Sequence, residues 1–556
     1  MKLIVGIDFG TSTTVVRYRM EDSNIIQSIK ESNGNDIIPS VIYKNPETGI
    51  KLYGSEAFKC NPNTEEGEII SNFKMNLLNP SKREQAKLHI EEFLTHVYGL
   101  FKNQTQGLNP TETEINVSYP AKWDDEMIRF MKEAVHKAGF TGTITGVKEP
   151  LAATQDLLYR HLQDLQKAKL IGIQKSIRIF VLDMGAGTTD ISILKLSIDE
   201  YGIPHISEPL LYPSKSEPFL CGGREIDELM QQYLINYFSK KNYTPMPECI
   251  ELPLIKDWKE QTLSPNLKHG EKVSLPNSLH YILKAIGLKN IVADFSFNRI
   301  DFEYSTKEHW EKLYKLIQSS MLQYKTVYGI GAEDIDFVCL TGGHSTWYTV
   351  PLLFNGEGLC NGIAKEGEEE TLNFEKLKKE PWRMEALSDS LPHESVARGL
   401  CLMDQKLIGA LPSSNNVWVK ITVDDKSSEI MQIIDKTSPL PITNTITHEI
   451  ICLKHLFDSI INTQINIYIG ENLENAETYS MQFKNDSKSF WNYIREIIFP
   501  TFIVSVHKVK FIINFTMTEE GLFDISGTFN IDNNKICEFT LNDLYKFSEF
   551  DKKINN

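Results

Sequence analysis

The sequence predicts an α/β fold of two similar lobes, followed by a smaller antiparallel β domain. Three observations carry this reading. Short apolar runs alternate with amphipathic helical patterns through the first 400 residues. A strand-and-turn motif occurs twice, with its aspartates at positions 8 and 183. Beyond residue 410 the hydrophobic period changes to two.

The runs Ile4 to Ile7, Glu114 to Ser118, Ile177 to Leu182 and Asp336 to Leu340 are short and mostly apolar. Such runs suit strands covered on both faces. Between them, Asp124 to Ala138 carries Met127, Phe130, Met131, Ala134 and Val135 at spacings of three and four, and Gly139 follows as a stop. Leu151 to Lys169 is a second long helical pattern. Ala410-Leu411-Pro412-Ser413-Ser414-Asn415-Asn416 is a cluster of breakers. After it, Val417, Val419, Ile421 and Val423 point one way, with Lys420 and Thr422 opposite. Ile465, Ile467 and Ile469 repeat the alternation, as do Phe511, Ile513, Phe515 and Met517. Thr518 to Gly521 reads as a hairpin loop into Leu522 to Phe529. Two sheets packed as a sandwich are expected, with one helical interruption at Ser487 to Ile498. The acidic run Glu366 to Glu370 reads as a solvated loop.

A chain of 556 residues suggests three or four domains. Apolar residues at 41% and charged residues at 24% are globular values. With 58 basic and 74 acidic residues the formal net charge is −16, which disfavours nucleic-acid and membrane-surface roles. No apolar run is long enough for a transmembrane helix. Met1 to Asp8 reads as a buried strand ending in a carboxylate rather than a signal peptide. The eight cysteines are scattered without a CxxC pair. Neither a structural zinc site nor a disulfide framework is expected, and reduced thiols in the cytoplasm fit best.

The repeat carries the chemistry. Val5-Gly6-Ile7-Asp8-Phe9-Gly10-Thr11-Ser12-Thr13-Thr14 recurs as Val181-Leu182-Asp183-Met184-Gly185-Ala186-Gly187-Thr188-Thr189-Asp190. Each is a strand ending in Asp, then a Gly-containing tight turn with hydroxyl residues. Glycine lets backbone N–H groups approach an anion without a Cβ in the way. Successive N–H groups in such a turn form an anion-binding concavity. The Asp suits a hard cation held through water. Two facing turns of this kind would clamp a polyphosphate and its Mg²⁺, which is most of what phosphoryl transfer requires. No GxxxxGK[ST] motif offers a P-loop instead. A third glycine pair, Leu340-Thr341-Gly342-Gly343-His344-Ser345, follows a strand and offers backbone to a flat ring or sugar, or is an ordinary turn.

These segments resemble the signatures of the actin, hexokinase and 70-kDa heat-shock chaperone superfamily, whose lobes have an actin-like (ribonuclease H-like) fold. Val5 to Thr14 resembles its first phosphate loop, Val181 to Asp190 the second, and Leu340 to Ser345 the adenosine loop. Lys148-Glu149-Pro150-Leu151-Ala152-Ala153 and His393-Glu394-Ser395-Val396-Ala397-Arg398-Gly399 resemble the two connecting segments of the DnaK-type chaperone branch. Cys221-Gly222-Gly223-Arg224-Glu225-Ile226-Asp227 resembles that branch's Gly-Gly-x-x-Phe-Asp. The matches run in family order over residues 4 to 403.

The resemblance implies ATP or ADP with Mg²⁺. Asp8 and Asp183 would hold the metal through water, and Gly10, Thr11, Ser12 and Thr13 would contact the phosphates. Gly185, Ala186, Gly187 and Thr188 would form the second loop, with Asp190 closing it and Thr188 also taking part in catalysis. Gly222, Gly223, Gly342, Gly343 and His344 would line the nucleotide. Glu149 would stand near the attacking water. Lys74, in Ile70-Ser71-Asn72-Phe73-Lys74, matches the catalytic lysine and would offset γ-phosphate charge; the plain alternative is a surface lysine.

The chain departs from the family at Ala186, where a glycine is usual, and at His393, where an aspartate is usual. Its adenosine loop lacks an arginine, as does Lys259-Glu260-Gln261-Thr262-Leu263-Ser264. Trp347 offers a substitute stacking surface or, more simply, a packing residue.

Region 417 to 545 more weakly resembles the chaperones' peptide-binding β-sandwich, through Ile434 to Pro441, Tyr468-Ile469-Gly470-Glu471 and Glu520 to Ser526. The expected organisation is an ATPase domain at 1–405, a linker at 406–416, the β domain at 417–545 and a tail at 546–556. The residues after the last expected strand leave no room for the family's helical lid, so a divergent, lidless form is expected. The implied activity is slow ATP hydrolysis coupled to binding of a polypeptide client or specific protein partner, with co-chaperones implied, in the cytoplasm, and without nucleic acid or membrane. A small-molecule kinase of the sugar-kinase branch, a nucleotide-gated scaffold or filament, and a nucleotide switch with negligible turnover are the alternatives.

Overall fold

The computed structural model describes residues 1–60, 67–120, 123, 125–173, 175–201, 204–211, 221–241, 250, 252–285, 287, 294–365, 372–385, 393–405, 416–423, 426–435, 438, 440–455, 460–470, 472–486, 504–518 and 523–541. They fall into two units, Met1–Trp123 with Phe130–Gly409, and Asp124–Arg129 with Ala410–Asn556. Among the described residues, no helix is long and apolar enough to cross a membrane.

The first unit is mixed α/β. Its first sheet contains β1 (Lys2–Phe9), β2 (Thr13–Met20), β3 (Gln27–Ser28) and β4 (Ile37–Pro39). A small antiparallel sheet follows, made by β5 (Val41–Lys44), β6 (Lys51–Tyr53) and β7 (Glu68–Ser71). With β8 (Glu112–Tyr119) and β9 (Thr143–Lys148), the first sheet runs β3-β2-β1-β8-β9, with β4 paired to β2. The second sheet holds β10 (Ile177–Met184), β11 (Thr189–Ile198), β12 (Pro204–Leu211) and β13 (Phe337–Thr341), in the order β12-β11-β10-β13.

The central strands follow from composition. β1 is flanked by β2, antiparallel, and by β8, parallel; Leu3, Ile4, Val5 and Ile7 are all buried. β10 is likewise antiparallel to β11 and parallel to β13, with Ile179 to Leu182 buried. A strand with neighbours on both edges and cover on both faces has no polar side to expose, which is why these runs do not alternate. The expected strands fall inside β1, β8 and β10; the fourth, expected at Asp336 to Leu340, is β13, one residue later.

The helices of this unit include α1 (Gly54–Phe58), α2 (Phe73–Asn76), α3 (Arg83–Gln104), most of α4 (Asp125–Ala138, whose residues up to Arg129 group with the second unit), α5 (Glu149–Lys167) and α6 (Gly223–Lys240). α4 and α5 occupy the two predicted helical patterns. α5 begins at Glu149, with Pro150 in its first turn, where a missing N–H costs nothing. Around the second sheet, an aromatic-rich core gathers Phe180, Trp258, Phe302, Trp310 and Trp347. The Trp258 indole donates to the Ser274 carbonyl at 2.9 Å and that of Trp310 to Thr306 Oγ1 at 2.8 Å. These buried N–H groups are therefore satisfied.

The two segments read as connecting segments meet. Helix Ser395–Leu400 crosses α5 and β1 at contact distance, because glycines stand at the crossing. A Cβ on Gly399 would lie 1.7 Å from the Ala152 carbonyl oxygen. One on Gly6 would lie 2.4 Å from the Ala397 oxygen. Two buried arginines of β2 fasten the same segment. Arg17 pairs with Asp36 and with Glu394, at 3.1 and 3.0 Å. Arg19 pairs with Asp404 and donates to the Cys401 carbonyl at 2.8 Å. A buried guanidinium needs such partners to offset its desolvation.

The second unit has two antiparallel sheets. β14 (Asn416–Val423), β15 (Lys426–Ser427), β16 (Met431–Ile434), β18 (Ile460–Gly470) and β19 (Glu477–Asp486) form one; β17 (Ile442–His455), β20 (Val504–Met517), β21 (Phe523–Ile531) and β22 (Asn534–Leu541) form the other. The predicted inward set, Val417, Val419, Ile421 and Val423, shares one apolar core with Phe511, Ile513 and Phe515 of the other sheet. β22 was not expected. Its signal is Asp532-Asn533, both with positive φ (50° and 67°), which is the turn chemistry of a tight hairpin.

Several expectations fall outside the described residues: the loop Glu366 to Glu370, the helix Ser487 to Ile498, the tip at 519–522, linker residues 406–415 and the tail. Asn416, placed in the linker by sequence, is the first residue of β14 and pairs with Gly470.

Gly399→Ala is expected to destabilise the chain by at least about 1–3 kcal/mol through overpacking against backbone. Urea denaturation measures this, and an unchanged midpoint would contradict the crossing geometry.

Candidate functional site

The two motif copies make turns of the same construction. β1 and β2 are closed by Gly10 N–H donating to the Thr13 carbonyl at 2.9 Å, and β10 and β11 by Gly185 N–H donating to the Thr188 carbonyl at 2.9 Å. The registers also match, Asp8 opposite Val15 and Asp183 opposite Asp190. A Cβ on Gly10 would sit 2.4 Å from the Thr13 oxygen, so this turn requires glycine. Ala186 is not among the residues with positive φ, so its methyl is accommodated. A Cβ on Gly187 would lie 3.1 Å from Thr11 Cγ2 and from Met75 Sδ. The first turn, the second turn and α2 therefore converge on one place.

Lys74 belongs to α2, which follows Asn72 in a left-handed conformation (φ 59°). It is 6% exposed, which excludes the surface-lysine reading. Its Nζ donates to the Phe9 carbonyl at 2.8 Å, pairs with Glu149 Oε1, and lies 5.6 Å from the centre of the Trp123 ring. Glu149 is held at the first turn of α5. Ser118, at the end of β8, donates to Asp8 Oδ1 at 2.7 Å.

The electrostatics describe a crowded anionic centre. Burial, then the Glu149 carboxylate, pushes the Asp8 carboxyl up to about 6, against the pull of Lys74 and Ser118. Burial, with Glu149, Asp190 and Asp8 nearby, pushes Asp183 well above the usual carboxylate range. Burial works against the Lys74 ammonium, but Glu149 and Asp8 outweigh it and hold its pKa above the ordinary value. Four carboxylates thus face one ammonium where water is scarce. That donor set fits a hydrated dication, whose charge would offset the excess.

The remaining predicted residues surround the second turn. α6 starts against it, with Gly223 N–H donating to the Gly185 carbonyl at 3.2 Å and Arg224 N–H to the Ala186 carbonyl at 2.9 Å. A Cβ on Gly222 would lie 2.5 Å from the Ala186 oxygen. Gly342 has φ 78°, and a Cβ there would lie 2.4 Å from the Met184 oxygen and 2.6 Å from Asp183 Oδ1. Both glycine pairs thus serve close backbone approach to the second turn. His393 lies against Gly343, its Cε1 1.9 Å from where a Cβ would be.

His344 is buried, its Nε2 2.9 Å from His309 Nε2, and its ring stacks parallel to Trp310. Trp347 stacks on Phe302 at 4.4 Å in the core, so it takes the packing role. Lys259 sits in a π-helical turn, Lys259–Leu263, and pairs with Asp227 at 2.7 Å. Sequence reasoning missed Ser118, Trp123, Glu225 and His309. Ser118 carried a readable signal, a hydroxyl at the end of a buried strand.

A carboxyl whose pKa is raised by folding stabilises the fold at low pH and loses that contribution as pH rises through its folded value. For Asp8 the window runs from 3.8 to about 6. Asp8→Asn is therefore expected to raise stability by roughly 3 kcal/mol at about pH 7.5 without divalent cations, and by little below about pH 4. Urea titrations at the two pH values check this; no gain at the higher pH would contradict the burial of that carboxylate.

No family model matches the chain. It is 23% identical to the protein named Chaperone protein DnaK of Mycoplasmopsis pulmonis over 349 residues, 62% of this chain and 52% of that one. It is 24% identical to the Chaperone protein DnaK of Thermosipho melanesiensis over 367 residues, covering 63% of this chain and 54% of that one. That of Mesomycoplasma hyopneumoniae is 25% identical over 352 residues. The chain thus spans about half the length of the curated relatives it matches. This is a distant similarity to 70-kDa heat-shock chaperones, of the kind the motifs themselves indicate.

Proposed function

We propose that the first unit binds ATP with Mg²⁺ between the two turns and hydrolyses it slowly. In this reading residues 1–405 are an ATPase domain of two duplicated actin-like lobes, and residues 417–545 a polypeptide-binding β domain whose affinity follows nucleotide state. The observation that carries it is the convergence of two equivalent Asp-to-Gly turns on a buried Lys74–Glu149 pair. The distant DnaK relatives support the same reading.

The chain's own groups have separable tasks. Gly10, Thr11, Ser12 and Thr13, with Gly185, Ala186, Gly187 and Thr188, supply N–H and hydroxyl donors to a polyphosphate. Asp8 and Asp183 would hold Mg²⁺ through its water shell; Ser118 keeps Asp8 oriented by its 2.7 Å hydrogen bond. A bound Mg²⁺ would neutralise phosphate charge. Lys74, already desolvated and held by Phe9 and Glu149, presents a fixed ammonium to the γ-phosphate, where charge develops. Glu149 accepts from Lys74 and is placed to orient the attacking water. Gly222, Gly223, Gly342, Gly343 and His344 surround the second turn on the side where the nucleoside would lie. Closure on the nucleotide would reach the β domain with a coupling of about 1–3 kcal/mol. The polypeptide partner, co-chaperones and a cytoplasmic setting belong to the same proposal.

Lys74→Ala is expected to lower ATP hydrolysis by at least about a hundredfold while leaving ATP affinity within a few-fold. Single-turnover kinetics and calorimetry read the two quantities; hydrolysis at the unmodified rate refutes the role of Lys74. Asp183→Asn is expected to abolish the Mg²⁺-dependent part of ATP affinity, and an identical calorimetric isotherm refutes the metal role.

A further inference from the structure

We propose that Glu225, His309 and His344 form a hydrogen-bonded relay that fixes His344 Nδ1 as an acceptor for the nucleoside of the bound triphosphate, so that the site selects a nucleoside with a hydrogen-bond donor at that point. The inference rests on the nucleotide reading above and names what that site discriminates. The three residues come from distant parts of the chain: Glu225 from the first turn of α6, His309 from helix Lys307–Tyr328 and His344 from the short turn Gly343–Thr346. His309 Nδ1 stands 2.7 Å from Glu225 Oε2, and His309 Nε2 stands 2.9 Å from His344 Nε2. Both histidines are buried.

The proton positions follow from the carboxylate end. Burial would raise the Glu225 pKa, but His309 and Lys312 outweigh it and hold the carboxyl below its ordinary value. A carboxylate only accepts, so His309 Nδ1 carries hydrogen and donates to it. Burial lowers the His309 pKa against the pull of Glu225, so the ring is neutral and its Nε2 is bare. Cys221 does not take that lone pair: its Sγ stands 3.8 and 3.9 Å from the two ring nitrogens and is aligned with neither. His344 Nε2 must then carry hydrogen and donate to His309. Burial, with His309 and Lys259 nearby, pushes the His344 pKa well down, so its ring is neutral as well. Its remaining ring nitrogen, Nδ1, is therefore a bare acceptor.

The surroundings leave Nδ1 for a ligand. Among the described residues it has no hydrogen-bond partner. A Cβ on Gly223 would lie 3.4 Å from it, so glycine at that position leaves the nitrogen uncovered. Lys259 Nζ, equally close to the same point, is engaged by Asp227 at 2.7 Å and by the Gly223 carbonyl at 3.0 Å. The His344 ring is held by stacking within 7° of parallel to Trp310. Gly223 also donates its N–H to the Gly185 carbonyl of the second turn, 3.2 Å away. The acceptor thus stands beside the proposed phosphate turn, on the side assigned to the nucleoside. A nucleoside offers two kinds of donor, the exocyclic amino group of its base and the hydroxyls of its sugar. A ligand lacking the donor would bury Nδ1 unpaired, which typically weakens binding roughly tenfold or more.

The test is calorimetry on the full chain with Mg²⁺, using ATP, inosine triphosphate, 2′-deoxy-ATP, 3′-deoxy-ATP and inorganic tripolyphosphate. One analogue is expected to bind at least about tenfold more weakly than ATP. Loss with inosine triphosphate assigns the donor to the base; loss with a deoxy analogue assigns it to the sugar. In His344→Phe, and in His309→Phe where His344 is kept, that discrimination is expected to vanish while tripolyphosphate affinity is unchanged. Circular dichroism verifies that each variant is folded. Nitrogen-15 spectra of the ligand-free chain read the tautomer separately, with hydrogen expected on His344 Nε2 and none on Nδ1. Hydrogen on Nδ1, or equal affinity for ATP and all three nucleotide analogues, overturns the relay. Absence of any ATP binding refutes the nucleotide reading itself, and with it the ligand assigned to this acceptor.

Discussion

The ion pair between Lys74 and Glu149 is the constraint around which the first unit is organised. Neither group could be buried alone, since an unpaired charge in such a place costs several kcal/mol. The pair holds together elements far apart in the chain: the short helix after β7, the first turn of α5, and, through the Phe9 carbonyl, the end of β1. Three further carboxylates then crowd the same place, and the raised pKa values of Asp8 and Asp183 reflect how poorly the protein alone balances that charge. Such an imbalance is a feature of sites that receive a charged ligand, and it gives the two turns a reason to face one another.

Glycine does the complementary work. Gly6 and Gly399 let the helix Ser395–Leu400 press on β1 and α5, and Gly222 and Gly342 let two other segments press on the second turn. In each case the missing side chain is replaced by neighbouring backbone, so positional accuracy comes from contact and not from flexibility. The buried arginines of β2 add a polar fastening where packing alone would leave the segment after Glu394 free to shift.

How much was legible follows from how local each signal is. The turns at Asp8 to Thr13 and Asp183 to Thr188 were legible because their whole chemistry is contiguous: apolar strand, carboxylate, glycine, hydroxyls. The alternation in β14 and β20 was legible for the same reason, each being half-buried against one core. Lys74 and Glu149 stood out only through a family resemblance, since nothing local marks two residues 75 apart as partners. Ser118, 110 residues from Asp8, and His309, 84 from Glu225, were invisible because tertiary packing alone unites them. The mixed α/β class with a following antiparallel β domain rests on periodicity and agrees with the structure; the boundary errors, at α5 and β13, were one or two residues at element ends, where patterns fade.

The hydroxyls of Thr341 and Ser395 lie 2.6 Å apart. Thr341 ends β13 in the second sheet, whereas Ser395 opens the helix that lies on β1 of the first. The contact is buried, and it ties the end of the second sheet to the helix that rests on the first. Each hydroxyl has the other as its partner away from water, so this polar clasp links the two sheets without leaving an unpaired group in the interior.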